Sequence, residues 1–359
     1  MTEDIDAFMA TMVARAVPVP IERALSLVRQ HYGLDARAQP LTGERDQNVR
    51  LQTRQGAEYV LKIAHKEENP ITSDFTTAAL LHLEASDPSL PCPRVLRTRA
   101  GRTAMFFEDA GAQRQACVLT YLPGRPLGSV TRSTPQRVAC GQLAARLTRS
   151  LRGFDHPGAH RAIIWDVRHI GRVRALLDDV VEFPGRHVAT ELLDALVPCI
   201  DAGIGALRQQ VVHDDINRFN VLVDESDAAR IVGVIDFGDA THTAIAADAA
   251  VVAAEQIPED CADGVHAGEA ILEVIRAYHE VMPLQAAEIS LLGTLVAARL
   301  ITSVVVQQWH RQHNPAGQHY AELGAEFIRQ RLGVARAVLG QPFALRHGHV
   351  GCTEQDSGG

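Results

Sequence analysis

The sequence predicts an α+β chain of two lobes, a β-rich N-terminal lobe followed by a mostly helical one. Three observations predict it. Apolar residues alternate with period two between about residues 40 and 122, beyond Pro123-Gly124 they recur with helical spacing, and a single hairpin pattern at residues 220–236 interrupts those helices. A chain of 359 residues also exceeds what one small core organises.

Taken in order, residues 1–17 read as an amphipathic arm stopped by Pro18 and Pro20. Residues 21–32 form a helix with Ala24, Leu25, Leu27 and Val28 on one side, and Gly33 sits where a left-handed cap belongs. Strands follow at 49–53 and 59–63, with a turn at Gln55-Gly56, then a helix at 75–83 and strands at 94–97, 103–107 and 117–122. Helices are expected at 134–151, 168–181, 188–208, 248–255, 268–281 and 286–312. The polar, glycine-containing end, HGHVGCTEQDSGG, reads as frayed. The expected division is therefore an N-terminal lobe at 1–117, a connector at 118–124, a helical lobe at 125–345 and a tail at 346–359. A cleft between lobes is a common place for a small-molecule site.

Composition narrows the partners. Lys+Arg number 35 against 43 Asp+Glu, for a formal net charge of −8, so no overall basic field recruits nucleic acid or an anionic membrane. Six scattered cysteines without a C-x-x-C pair read as reduced thiols. The opening MTEDIDAF lacks the basic and apolar segments of a signal peptide, and the apolar run at 289–306 is interrupted by Arg299 and polar residues. A cytoplasmic location without a membrane span is expected. Only Lys62 and Lys66 are lysines; every other basic residue is arginine.

Several familiar signatures are missing. Neither lysine follows a glycine, as a Walker A loop requires, and Gly203-Ile-Gly205 ends on Arg208 rather than a third glycine. Pro157-Gly158 separates His156 from His160, so the pair cannot share a helix face for zinc, and His310 with His313 reads as a solvated pair. There is no G-x-S-x-G elbow for acyl transfer.

One constellation remains. His213-Asp-Asp215 is followed five residues later by Asn220, which opens the first strand of the hairpin. Asp236 of Asp236-Phe-Gly238 lies just past the second strand. A hairpin brings its outer ends together, so Asp215, Asn220 and Asp236 can converge. Phosphoryl transfer needs such a set. A hard divalent cation prefers oxygen ligands, supplied by an Asn carbonyl and an Asp carboxylate, while a second carboxylate accepts the proton of an attacking hydroxyl. Lys62, in the strand Tyr59-Val-Leu-Lys62-Ile, can meet phosphate as a point charge. Arg299 and Trp165 are candidates for holding a substrate, Arg299 as a cation for a carboxylate.

The stretches VVHDDINRFNVLV, GVIDFGD, YVLKI and VLTYLPG resemble the aminoglycoside phosphotransferase family, small-molecule kinases of protein-kinase-like bilobal fold. The resemblance covers about residues 38–310. Within it, GERDQNVRL, GFDHPGAHRAIIWD and IDFGDATHT resemble the hydroxylysine kinase branch. The resemblance implies Asp215 as catalytic base, Asn220 and Asp236 as Mg²⁺ ligands, and Lys62 on the α/β-phosphates. It also implies Thr120 to Leu122 as a hinge for the purine and the loop from Gly43 to Asn48 as a phosphate cover. It implies ATP or GTP as donor and a hydroxylated amino acid, 5-hydroxylysine first, as acceptor. An aminoglycoside, homoserine or a choline-like alcohol is the alternative. Three departures stand out: Asp214 replaces a glycine in the His-Gly-Asp pattern, the covering loop has one glycine, and Thr76 falls where a helix glutamate would face the lysine, with Asp74 nearby.

Overall fold

The computed structural model describes residues 18–43, 45–258, 264–314 and 324–341, together with Met9, Cys261, Phe343 and Leu345. The arm expected at 1–17, Met9 apart, and the tail at 346–359 lie outside the described residues.

The first helix, α1 (Ile21–Tyr32), ends on Gly33 at φ 72°, whose N–H closes onto the Arg29 carbonyl. This left-handed cap is open to glycine without a side-chain clash. Ala24, Val28 and Tyr32 of α1 pack on one face of an antiparallel sheet, against Val49, Leu51, Leu61 and Val118. The strands are β1 (Ala36–Leu41), β2 (Gln47–Thr53), β3 (Glu58–Ile63), β4 (Val95–Leu96), β5 (Met105–Asp109) and β6 (Ala112–Thr120), and β4 and β5 pair with different parts of β6. β1 has no counterpart in the sequence reading. It is a largely exposed edge strand containing Pro40, where neither alternation nor hydrophobicity is required. The register places Lys62 between Asn48 of β2 and Cys117 of β6, mid-sheet. Helix α2 (Pro70–Ser86) begins five residues earlier than expected because Asn69 caps it, its side chain accepting the Ile71 N–H.

The second lobe contains α3 (Thr134–Ser150), α4 (Ile170–Asp179), α5 (Arg186–Gly203), α6 (Ile245–Glu255), α7 (Gly264–Val281), α8 (Ala286–His313) and α9 (Ala325–Val338). α9 and a two-stranded pair, β8 (Gln209–Val212) with β11 (Thr241–Ala244), were not expected from sequence. The anticipated hairpin is β9 (Val221–Val223) with β10 (Ile231–Val234), joined on its other edge by β7 (Arg125–Pro126). By length and composition α8 is apolar enough to cross a bilayer, contrary to the expectation from its interruptions. Its apolar window is 83% buried inside the fold, where Leu292, Val296, Leu300 and Val304 form the centre of the helical core. The same burial takes in His310, so the solvated reading of that residue is wrong; His313 is exposed.

α3 and α7 cross closely at Gly141. A side chain there would press on the Val274 carbonyl and come within 3.1 Å of Ala277 Cβ. Gly141→Ala is therefore expected to lower stability by about 1–3 kcal/mol through overpacking, despite the better helix propensity of alanine. Urea denaturation at constant m-value measures it.

Candidate active site

The two loops that matter leave the ends of short strands. β8 delivers His213, buried against the Phe237 ring with centroids 4.5 Å apart; burial holds its imidazole neutral by lowering its pKa to about 4. Asp214 follows at φ 58°, a backbone state that Asp tolerates better than most residues, with its N–H on Asp248 Oδ1 at 3.0 Å. That turn throws Asp215 forward. Asn217 then folds the loop over, its Oδ1 accepting the N–H groups of Phe219 and Asn220.

Three donors hold the Asp215 carboxylate. Oδ1 accepts from Asn217 Nδ2 at 2.9 Å and Arg299 at 2.8 Å, and Oδ2 from Asn220 Nδ2 at 2.8 Å. Burial pushes its pKa up to about 8, with Arg299 pulling in the opposite direction. The carboxyl is fixed in place and holds a proton more tightly than an ordinary aspartate does.

The hairpin supplies the second loop. The Ile235 N–H donates to the Asn220 carbonyl at 2.9 Å, closing β9 against β10 and setting Asp236 beside the first loop. Asp236 is left-handed at φ 61°. Its Oδ1 accepts the Gly238 N–H at 3.1 Å and faces Lys62 Nζ at 3.3 Å, and its side chain is 53% exposed. Lys62 is the main reason its carboxyl sits far below the usual range. Lys62 itself pays a desolvation cost but is kept charged by Asp236 and by Asp46, 3.1 Å away. A second bridge crosses between the lobes, from Arg45 to Asp239 at 2.7 Å.

Asn220 turns its amide nitrogen to Asp215, which leaves its side-chain oxygen for another partner in the cavity that the half-exposed Asp236 also lines. This pair suits a hard cation completed by ligand oxygens. Among the described residues, no cluster of three or more His, Cys, Asp or Glu forms a self-sufficient metal site. All ten residues singled out from the sequence line one cavity of about 590 Å³ between the lobes. Gly43 has no room for a side chain there: a Cβ would lie 2.7 Å from Asn48 Nδ2.

Three details were open in the sequence reading or differ from it. Asp74 does not reach Lys62; it pairs with His156 at 3.2 Å, and Thr76 bonds its own helix at Thr72, so Asp46 of the β1–β2 loop supplies the partner. In the hinge, the Thr120 N–H is given to Arg94 and the Tyr121 N–H to Glu58; with Pro123 lacking an N–H, Leu122 remains as the donor. Arg299, expected to meet a substrate carboxylate, is 3% exposed. It is engaged by Asp215 and by Glu255 at 3.5 Å, with its guanidinium 5.2 Å from the Trp165 ring centre. Sequence reasoning missed Asp46, Asn217, Glu255 and Arg331. Asn217 and Asp46 lay within quoted motifs, whereas nothing local marks Glu255 or Arg331.

Comparison with known proteins agrees with this geometry. The model of the phosphotransferase enzyme family matches residues 37–289. The hydroxylysine kinase of Mus musculus is 28% identical over 338 residues, covering 87% of this chain and 88% of that protein. A microcompartment-associated aminopropanol kinase superposes with a TM-score of 0.70 at 19% identity, covering 89% of this chain and 98% of that one. Amicoumacin kinase hAmiN, solved in complex with AMP-PNP, Ca²⁺ and Ami, superposes with a TM-score of 0.64 at 16% identity, covering 89% of this chain and 92% of that one.

Asp214 carries a stability signature. It is fully buried, and burial, with Asp166 beside it, drives its carboxyl well above the ordinary range. The folded chain thus keeps a proton that the unfolded chain releases above about pH 4, so this residue's contribution to stability falls as pH rises past that point. Asp214→Asn keeps the left-handed turn and removes the slope. Its Tm is expected to exceed that of the parent at pH 8, with the gap closing by pH 4–5 in calorimetric scans.

Proposed function

Because the chain belongs to the phosphotransferase enzyme family, we propose that it transfers the γ-phosphate of ATP or GTP to the hydroxyl of a hydroxylated amino acid, 5-hydroxylysine foremost. The observation that carries the reading is the convergence of Asp215, Asn220, Asp236 and Lys62 in one cavity. The identity to a hydroxylysine kinase along most of both chains supports the acceptor.

Each residue has a separable task. Leu122 offers its N–H to the base at the hinge, and Lys62 neutralises charge on the α/β-phosphates. Asn220 Oδ1 and Asp236 would hold Mg²⁺, which supplies charge neutralisation to the triphosphate when bound. Asp215 receives the acceptor's proton as the new O–P bond forms and the bond from the γ-phosphorus to the β–γ bridging oxygen breaks, releasing the nucleoside diphosphate; Asn217, Asn220 and Arg299 keep its carboxylate aimed while this happens. Lobe walls on both sides keep water from competing for the phosphoryl group. We infer a cytoplasmic setting, consistent with the nucleotide donor and the free thiols among the described residues. A second reading, an amino alcohol without a carboxylate, is favoured by the fold shared with the aminopropanol kinase.

Release of ADP or GDP, followed across hydroxylated amino acids, amino alcohols and aminoglycosides with both donors, tests the proposal. Turnover confined to aminoglycosides would discard the amino-acid acceptor. Asp215→Asn should lower kcat by about 10²–10⁴ while nucleotide affinity by calorimetry stays nearly constant; undiminished turnover would remove Asp215 from its role.

A further inference from the structure

Helix α8 presents one stripe to the cavity. Arg299, Ser303 and Gln307 recur every four residues along it, and all three line the cavity wall. Arg299 marks the level of the catalytic carboxyl, because it donates to Asp215 at 2.8 Å. Gln307 starts about 12 Å further along the helix axis, at 1.5 Å per residue. Its side chain, leaning toward the helix N-terminus as helical side chains do, returns part of that distance toward Asp215. The cavity therefore extends well past the group that meets the acceptor's hydroxyl.

Two polar groups on this stretch have no hydrogen-bond partner among the described residues. One is the amide of the partly buried Gln307. The other is the indole N–H of Trp165, a residue only 7% exposed, whose ring packs 5.2 Å from the Arg299 guanidinium. Ser303, between them on the helix, is engaged by the Leu300 carbonyl. Inward-facing polar groups are rarely left unpaired, so two of them lining one cavity mark the place of a ligand. Charge narrows what that ligand carries. Arg299 is met by Asp215 and Glu255, and Arg331 by Glu255 at 3.4 Å, whereas Gln307 is neutral. An amide sets one acceptor beside two donors. Its complement is a donor beside an acceptor with no net charge, which an α-amino-acid head group supplies as ammonium and carboxylate on one carbon. A lone ammonium would leave the amide NH₂ unmatched, and a lone carboxylate would leave the amide oxygen unmatched.

We propose that Gln307 is the residue that selects an amino-acid acceptor, its Oε1 accepting from the α-ammonium and its Nε2 donating to the α-carboxylate. The assignment deepens the proposed function and rests on it. The acceptor lies along the α8 stripe, with its hydroxyl at Asp215, its head group at Gln307 and the Trp165 ring as a wall of the passage between them. This arrangement suits an acceptor whose hydroxyl is several bonds from its head group.

The test compares acids with their decarboxylated partners by titration calorimetry on the full chain with AMP-PNP and Mg²⁺: 5-hydroxylysine against 1,5-diaminopentan-2-ol, and homoserine against 3-aminopropan-1-ol. In the parent chain one acid is expected to bind about tenfold more tightly than its partner. Gln307→Leu should abolish that preference. Gln307→Glu, which replaces the NH₂ donor with a second negative oxygen, should invert it. Gln308→Leu, at the next residue of α8 and outside the cavity lining, should leave it intact. The AMP-PNP affinity of each variant reports that it folds, and Gln307→Glu carries the test where Gln307→Leu does not. Equal binding within both pairs, no binding of either acid, or a preference that survives substitution of Gln307 overturns the assignment. Because binding is read without turnover, its failure is distinguishable from that of the phosphoryl-transfer reading, which nucleoside diphosphate release decides separately.

Discussion

The contact between Lys62 and Asp236, 3.3 Å across the cleft, is the constraint on which the rest of the site depends. It joins the middle strand of the sheet to the end of the β9–β10 hairpin, two elements 174 residues apart. It also sets the protonation of both partners, since the carboxylate keeps the lysine charged and the lysine keeps the carboxylate ionised. Asp46 adds a second counter-charge for the lysine, 3.1 Å away. The Arg45–Asp239 bridge repeats this logic three residues further on, so the N-terminal lobe is tied twice to the segment around Asp236-Phe-Gly238.

Around that contact the two lobes contribute differently. The sheet supplies a rigid lysine, held between neighbours on both sides by its strand register. The helical lobe supplies loops, and these are stiffened by side chains that serve the backbone: Asn217 over the turn, Asp248 under Asp214, and Asn220 Nδ2 donating to the Asp215 carbonyl. Both non-glycine left-handed residues in the helical lobe, Asp214 and Asp236, fall in these loops. Placing backbone in a sparsely populated state where a carboxylate must be aimed is a common feature of functional sites. The long helix α8 supplies the counter-charge of the Asp215 carboxyl. It brings Arg299 under Asp215 from within an otherwise apolar core.

The β-rich and helical lobes, most helix positions and the hairpin could be read from periodicity, because amphipathic spacing survives wherever one face is buried. β1, β4 and β7 carry little of that signal, being short or on an edge, and their limits came only with the sheet. The short β8–β11 pair was hidden for a related reason: its strands are four residues each, and their burial shows no alternation of faces.

By itself the sequence determined which groups gather at the site: two carboxylates and an amide at the ends of a hairpin, with a rare lysine in a strand. Loop lengths and residue types are local properties, and local properties are written along the chain. Only the tertiary structure decided the partners. Asp46 rather than a helix residue meets Lys62, Arg299 serves the base, and Arg331, from a helix beyond the recognisable motifs, faces the same cavity. Such pairings join residues from distant elements, and what selects them is the energetic need of a buried charge for a counter-charge within reach, a condition that exists only once the core has closed around it.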